Sequence, residues 1–506
     1  MTGEPARVPR LTAPPVEARL HRSFRGARRG GAVTLLTIYV VLLFAFPSNM
    51  TIGSLGSLGR PAMLWGIVLL VVWMLTRLQT RAHDVVPVRQ PVRWLLGLLL
   101  VIALVSFAAA LLRGQPADQI SPAFTAMLRL LSWAGVVLIA VDGLRTYNDV
   151  ATLIRVLVIG ATCLAVLGLA QFLTKSTLLD WFSALPGIAI DVGGVDDRGG
   201  FTRAAATATN PLEFTAAMAA ILPLAIAAAA LGGFRAKTSA RGWWWVPPAL
   251  IVVVSVLAVS RSATIGLAIA IVASVPALPR AYRWRVSLAA LAAIAVVVVV
   301  VPGLLSTILG LFTGAGSDPS TQSRTNAFAQ VPEFLATSPL VGDGFGTFLA
   351  RYYIFDNQWV LMLIELGILG VLALAGLVGV AIWSAASVAR RTPFDDTRTL
   401  GRAVAASMAT VALLFLFFDG LSFAISAGVF FLVVGLCAAV RTIGSADGEH
   451  VDAHRRLGDH LRVEHRDPED APRPMPVVVD PRPGGPAPDG TGGPDQPMPQ
   501  VPPSYR

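Results

Sequence analysis

Arginines set among carboxylates and glycines are the residues of this chain best suited to chemistry. Arg198 and Arg203 stand in GGVDDRGGFTR, Arg261 in AVSRSATIG, Arg324 in TQSRTNAF, and Arg351 shortly before a long apolar run. A guanidinium is a planar fork that grips phosphate oxygens two at a time and stays charged at any working pH. Such groups can hold a pyrophosphate and stabilise it as a leaving group. Asp356 and Asn357 open the run QWVLMLIELGILG, and Glu365 lies inside it. Asp356 is a candidate general base for an acceptor hydroxyl. Either Asp356 or Asn357 can equally cap the helix that follows. Glu365 falls about 12 Å along that helix, where an ionisable group marks a functional site or a paired structural carboxylate. Gly342-Asp343-Gly344-Phe345-Gly346 permits a sharp turn and close backbone approach to a ligand, or simply makes a turn. It is no dinucleotide fingerprint, because no preceding strand or sixth-position glycine accompanies it.

The elements that must position these residues are membrane helices. With 55% hydrophobic and only 14% charged residues, the composition excludes a soluble protein. Apolar runs of about 16–25 residues recur, enough to cross a hydrocarbon core of roughly 30 Å. Only a helical bundle satisfies the backbone there without strand edges. Twelve spans are predicted near 31–47, 61–76, 94–112, 124–141, 151–174, 210–231, 243–259, 262–278, 286–301, 357–383, 403–418 and 423–440. The fold class is therefore an all-α polytopic membrane protein.

Loop charge sets the orientation. Arg77, Arg81, Arg89 and Arg93, then Arg145, then Arg235, Lys237 and Arg241 occupy alternate loops. Arg280, Arg283 and Arg285 continue that side, with Arg390, Arg391, Arg398 and Arg402. The dense side reads as cytoplasmic, which puts both termini inside the plasma membrane. Residues 1–30 read as a basic disordered tail and 441–506 as a Pro- and Gly-rich one, too poor in apolar residues to fold. Two long outer segments remain, 175–209 and 302–356. In the first, Leu178, Leu179, Trp181, Phe182 and Leu185 can lie on the membrane interface. In the second, QSRTNAFAQVPEFLATSPLVG reads as a short helix and a Pro-Gly turn.

The net charge of +10 sits mainly in short loops, so it does not point to nucleic acid. Cys163 and Cys437 fall within apolar runs and read as small core residues. His21 and His83 belong to the dense side and the other four histidines to the tail. A histidine base or His-rich metal site is thus not expected on the outer face. Arginine on that face defies the usual bias, and Arg113 and Arg129 join the five named above. Each either binds an anionic ligand, snorkels to headgroups, or pairs with Asp196, Asp197, Asp318 or Glu333. Arg129 lies about 8 Å into its span and is expected to face the bundle interior.

Three stretches, in order, resemble the O-antigen ligase and polymerase superfamily. They are RGGFTRAAATATNPLEFTAAMAAILPLAIA, VLAVSRSATIGLAIAI, and SRTNAFAQVPEFLATSPLVGDGFGTF through DNQWVLMLIELGILG. The resemblance implies a GT-C-like bundle with a large outer loop before the tenth span. It implies a metal-independent glycan transferase without cofactor, at the outer face, drawing on a polyprenyl-pyrophosphate-linked glycan donor. The acceptor would be a glycan, lipid or protein. Arg203, Arg261 and Arg324 would hold the pyrophosphate, with Arg198, Arg351, Gly342, Gly344, Asn357 and Glu365 as further substrate contacts. Where the ligase branch often has His-Asn, this chain has Asp356-Asn357, which makes Asp356 the candidate base and favours a polymerase slightly. The alternative is a transporter or flippase of lipid-linked glycans, which would place ionisable groups through the middle of several helices.

Overall fold

The computed structural model describes residues 31–78, 89–190, 196–198, 201–234, 242–278, 280–301, 303, 306–307, 309, 319–349 and 351–464. Side chains are described outside 196–198, 201, 281, 319–325 and 446–464. Two compact units divide the chain, Met1–Val451 and Asp452–Arg506.

The helices are α1 (Gly31–Ala45), α2 (Pro61–Leu78), α3 (Pro91–Leu112), α4 (Ala117–Gly143), α5 (Tyr147–Thr174) and α6 (Pro211–Ala230). There follow α7 (Val246–Leu257), α8 (Arg261–Ser274), α9 (Arg280–Val300), α10 (Pro319–Leu335), α11 (Gln358–Arg391), α12 (Asp395–Leu414) and α13 (Ala424–Glu464). Every apolar segment expected to span falls on one of these helices, and α10 is the short helix expected in the long loop. By length and composition, eight helices among the described residues can cross a membrane: α2 to α6, α11, and the apolar parts of α9 and α13. Three shorter apolar helices accompany them, Gly31–Ala45, Gly242–Leu257 and Arg261–Ala277. Strands are confined to two small antiparallel pairs, β1 (Thr51–Ile52) with β2 (Ile188–Ala189) and β3 (Asp196–Arg198) with β4 (Phe201–Arg203).

Helix α6 is the buried axis of the bundle. Nine of the twenty residues in its sequence PLEFTAAMAAILPLAIAAAA are alanine, so neighbouring helices can approach closely. The Ser407 hydroxyl of α12 reaches across to the Ala220 carbonyl at 2.6 Å. Helices α2 and α4 run parallel and cross on glycine. A Cβ on Gly66 would lie 2.0 Å from Ser132 Oγ, and one on Gly135 only 2.3 Å from the Gly66 carbonyl oxygen. Above that crossing the Ser57 and Thr125 hydroxyls meet at 3.1 Å, and below it the Trp73 indole donates to Asp142 at 2.7 Å. Asp142 also pairs with Arg77 and Arg93.

The polar loops gather at the other end from Asp142. The Ser48 N–H donates to the Thr207 carbonyl at 2.8 Å, and the Gly53 N–H to that of Gly187 at 2.8 Å. Arg113 donates to the Gly342 carbonyl at 2.7 Å, and Arg203 Nε to that of Ala258 at 3.2 Å. The Gln358 N–H donates to the Phe415 carbonyl at 2.8 Å. Loops drawn from six positions along the chain thus share one end.

Two expectations need correction. Cys437 is buried, but Cys163 is exposed on α5, because its place on the helix turns it away from the bundle. The tail expected to be irregular from 441 is helical through Glu464, since α13 continues past its apolar part into a stretch of mixed acids and bases. Residues 1–30 and 465–506, the other tail expectations, lie outside the described residues.

Candidate functional site

The run containing Glu365 folds as one long helix with a break in it. Gly367 takes φ 66, ψ −168 inside α11, which interrupts the hydrogen-bond ladder in an apolar setting. Freed backbone groups there must find partners, and the glycine loop supplies them. The Asp343 and Gly344 N–H groups donate to the Ile364 and Glu365 carbonyls at 3.0 and 2.9 Å. The Ile368 and Leu369 N–H groups donate to the Pro339 and Leu340 carbonyls at 2.9 and 3.2 Å. Glycine is required on both sides of this seam. A Cβ on Gly342 (φ +70) would lie 2.3 Å from the Glu365 carbonyl carbon, and one on Gly367 would lie 2.3 Å from that of Leu340. Ser106 of α3 and Arg113 at its C-cap brace the same backbone, at Glu365 O (3.0 Å) and Gly342 O (2.7 Å).

The seam fixes the Glu365 carboxylate, which accepts from the Gly346 and Phe348 N–H groups. It lines a cavity of about 350 Å³ with Ser57, Thr125, Arg129, Trp133, Gln358 and Ser422. That volume lies within the range of small-molecule sites, roughly 300–1,000 Å³. A smaller cavity of about 30 Å³ shares Arg129, Trp133, Leu421 and Ser422 and adds Ser48 and Arg60.

The head of α11 is the second part of the site. Asn357 is the N-cap: its side-chain oxygen accepts from the Trp359 and Val360 N–H groups at 3.0 and 3.2 Å. Its amide donates to the Leu416 carbonyl at 3.1 Å, and the Gln358 side chain accepts from the Leu421 N–H at 2.7 Å. These bonds bind α11 to the loop between α12 and α13, which carries Asp419. Burial pushes the Asp419 carboxyl up to about 6; a hydrogen bond from Ser422 opposes the shift and the Asp356 charge adds to it. Asp419 is thus an electrostatic neighbour of both Asp356 and Glu365. Burial likewise raises Asp343 above the ordinary carboxylate range, against the pull of Arg113, whose Nη1 is 3.5 Å away.

The candidate arginines divide. Arg203 on β4 and Arg261 at the start of α8 come together, because Arg203 bonds the turn between α7 and α8. Arg198 lies on β3, paired across the ladder with Phe201. Arg324 lies on α10, whose described side chains pack on the first turns of α11 through Ala327, Phe355 and Ile364. Arg351 is exposed, paired with Asp118 and stacked on Tyr352. Arg113 is engaged by the glycine loop. Arg129 faces the interior as expected, lining both cavities. Among the described residues no group of three or more His, Cys, Asp or Glu side chains could hold a metal ion.

Three residues escaped the sequence reading. Glu213, fully buried on α6, accepts from the Ser48 hydroxyl (2.9 Å) and from the N–H groups of Thr209 (2.8 Å) and Ile425 (2.7 Å). Arg60, just ahead of α2, belongs to the poorly basic side and is flagged by the rule that picked out the other arginines. Asp419 is a lone acid in the apolar loop FFDGLSF, a weaker signal of the same kind.

An all-helical chain with this many apolar helices and a polar cavity at one end is a multi-pass membrane protein. Residues 246–375, from α7 through the first half of α11, match the O-antigen ligase family. This match, over about a quarter of the chain, bears out the resemblance to the O-antigen ligase and polymerase superfamily and supports a glycosyl-transferring role in surface-glycan synthesis. No curated protein matches the chain.

Proposed function

We propose that the protein polymerises oligosaccharides carried on polyprenyl pyrophosphate at the outer face of the plasma membrane. The observation that carries this reading is the polar cavity at the head of α11. Six of its lining residues, from Phe345 to Glu365, belong to the segment that matches the O-antigen ligase family. All twelve apolar helices span in this reading, both termini are cytoplasmic, and the cavity end faces outward.

Arg203, Arg261 and Arg324 hold the donor pyrophosphate, and their fixed positive charge stabilises it as it departs. Asp356 removes the proton of the acceptor hydroxyl, which attacks the anomeric carbon from the opposite face, with inversion and without a metal. Asn357 holds the helix end that presents Asp356. Polymerisation is favoured over ligation because an aspartate stands where the ligase branch often has histidine.

The test is transfer from a lipid-linked donor by purified protein in lipid. Arg261→Ala and Arg324→Ala should each lower the rate at least about 100-fold, by analogy with loss of a preorganised donor to developing charge in other enzymes, while membrane insertion stays intact. Full activity in both variants would overturn the assignment.

A further inference from the structure

Arg60 and Arg129 have no part in the steps above, yet they are placed as a pair. Each stands six residues before the glycine at which its helix crosses the other, Gly66 on α2 and Gly135 on α4. Because the helices run parallel, both arginines reach the same height, about 9 Å above the crossing. Both side chains line the smaller cavity, so the two positive charges share one space. Neither side chain makes a hydrogen bond or ion pair among the described residues, and the Nε of each is buried without a partner. The nearest acids are already engaged, Glu213 by Ser48, Thr209 and Ile425 and Glu365 by Gly346 and Phe348. Two partly buried cations at one level, each with a buried Nε that lacks a partner, are costly unless an anion joins them.

We propose that Arg60 and Arg129 form an oxyanion subsite that takes a phosphate or carboxylate group of the glycan substrate. Arg60 lines the smaller cavity, and Arg129 lines both. The larger cavity offers what a sugar ring needs beside its charge: Ser57, Thr125, Gln358 and Ser422 for hydroxyls, and Trp133 and Phe345 for apolar ring faces. None of the lining residues lies on β4 or on the turn that carries Arg261. The subsite is therefore separate from Arg203 and Arg261. The identity of the ligand as part of a glycan rests on the proposed function; the anion binding rests on the geometry alone.

The experiment is titration of the full-length protein in lipid nanodiscs, read by tryptophan fluorescence and calorimetry. The probes are glucuronate, glucose 6-phosphate, inorganic pyrophosphate and glucose. Saturable binding of an anionic probe that exceeds glucose, and falls at least tenfold in Arg60→Gln and in Arg129→Gln, supports the subsite. Retention of part of that binding in Arg129→Lys, with the same unfolding temperature, shows that charge rather than folding is read. Preference for the acidic sugars assigns the anion to the glycan, and preference for pyrophosphate assigns it to the lipid carrier. Arg261→Ala should leave glucuronate binding unchanged even where it abolishes transfer, so the two readings can fail separately. Absence of saturable anion binding, or binding unaltered in both glutamine variants, overturns the proposal.

Discussion

Asp419 illustrates how a single charge reports on this site. Its carboxyl is raised to about 6 in the folded protein, chiefly by burial, so the native state holds that proton more tightly than the unfolded chain. Stability therefore falls as pH climbs from the ordinary carboxylate value to about 6, and the cost stays in full above it. Asp419→Asn should melt higher than the wild type at pH 7.5, with the gain shrinking as pH falls through 6. Thermal unfolding across pH 4–8 reads this directly, and a constant difference would contradict it. Asp356 and Asn357 separate in the same way. Asn357→Ala removes a helix cap and should cost about 1 kcal/mol of stability. Asp356→Ala should instead lower transfer with little change in unfolding temperature; the reverse pattern would exchange their roles. The cap and base alternatives were both legible in the sequence, but only the fold decides which residue caps. Arg60 and Asp419 gain their meaning from neighbours far along the chain, so no local pattern announces the pairings.

At the scale of elements, hydrophobic length located the helices well, because each must hide its own backbone from lipid. It could not show the break at Gly367. The apolar run continues through that position without interruption, and what makes the break affordable is a loop more than twenty residues earlier. The prediction belongs to that seam. Gly367→Ala and Gly342→Ala both force a Cβ into backbone at 2.3 Å from a position with positive φ. Each should lower the unfolding temperature and reduce transfer, since the same contacts hold Glu365. Gly379→Ala, further along α11 with open space at its Cβ, should do neither. Equal behaviour of the three variants would show that the seam does not position the site. The end of α13 failed to show in composition for a different reason: the helix runs on to Glu464 beyond the apolar pattern that located the other elements.

For the whole molecule, the alternation of loops between two ends makes a topology claim. In a chain with both native cysteines replaced by alanine, Ser54→Cys should react with an impermeant maleimide on intact cells, and Arg391→Cys only after lysis. The opposite pattern would invert the orientation and remove the outer-face chemistry with it. The central claim is glycan polymerisation, and the most direct measurement is the size distribution of lipid-linked and envelope-attached glycans in cells carrying Arg261→Ala or Arg324→Ala in place of the wild type. The account predicts single repeat units where long chains normally stand. Long chains stranded on the lipid carrier would make the protein a ligase, and two unchanged pools would contradict glycosyl transfer by this site.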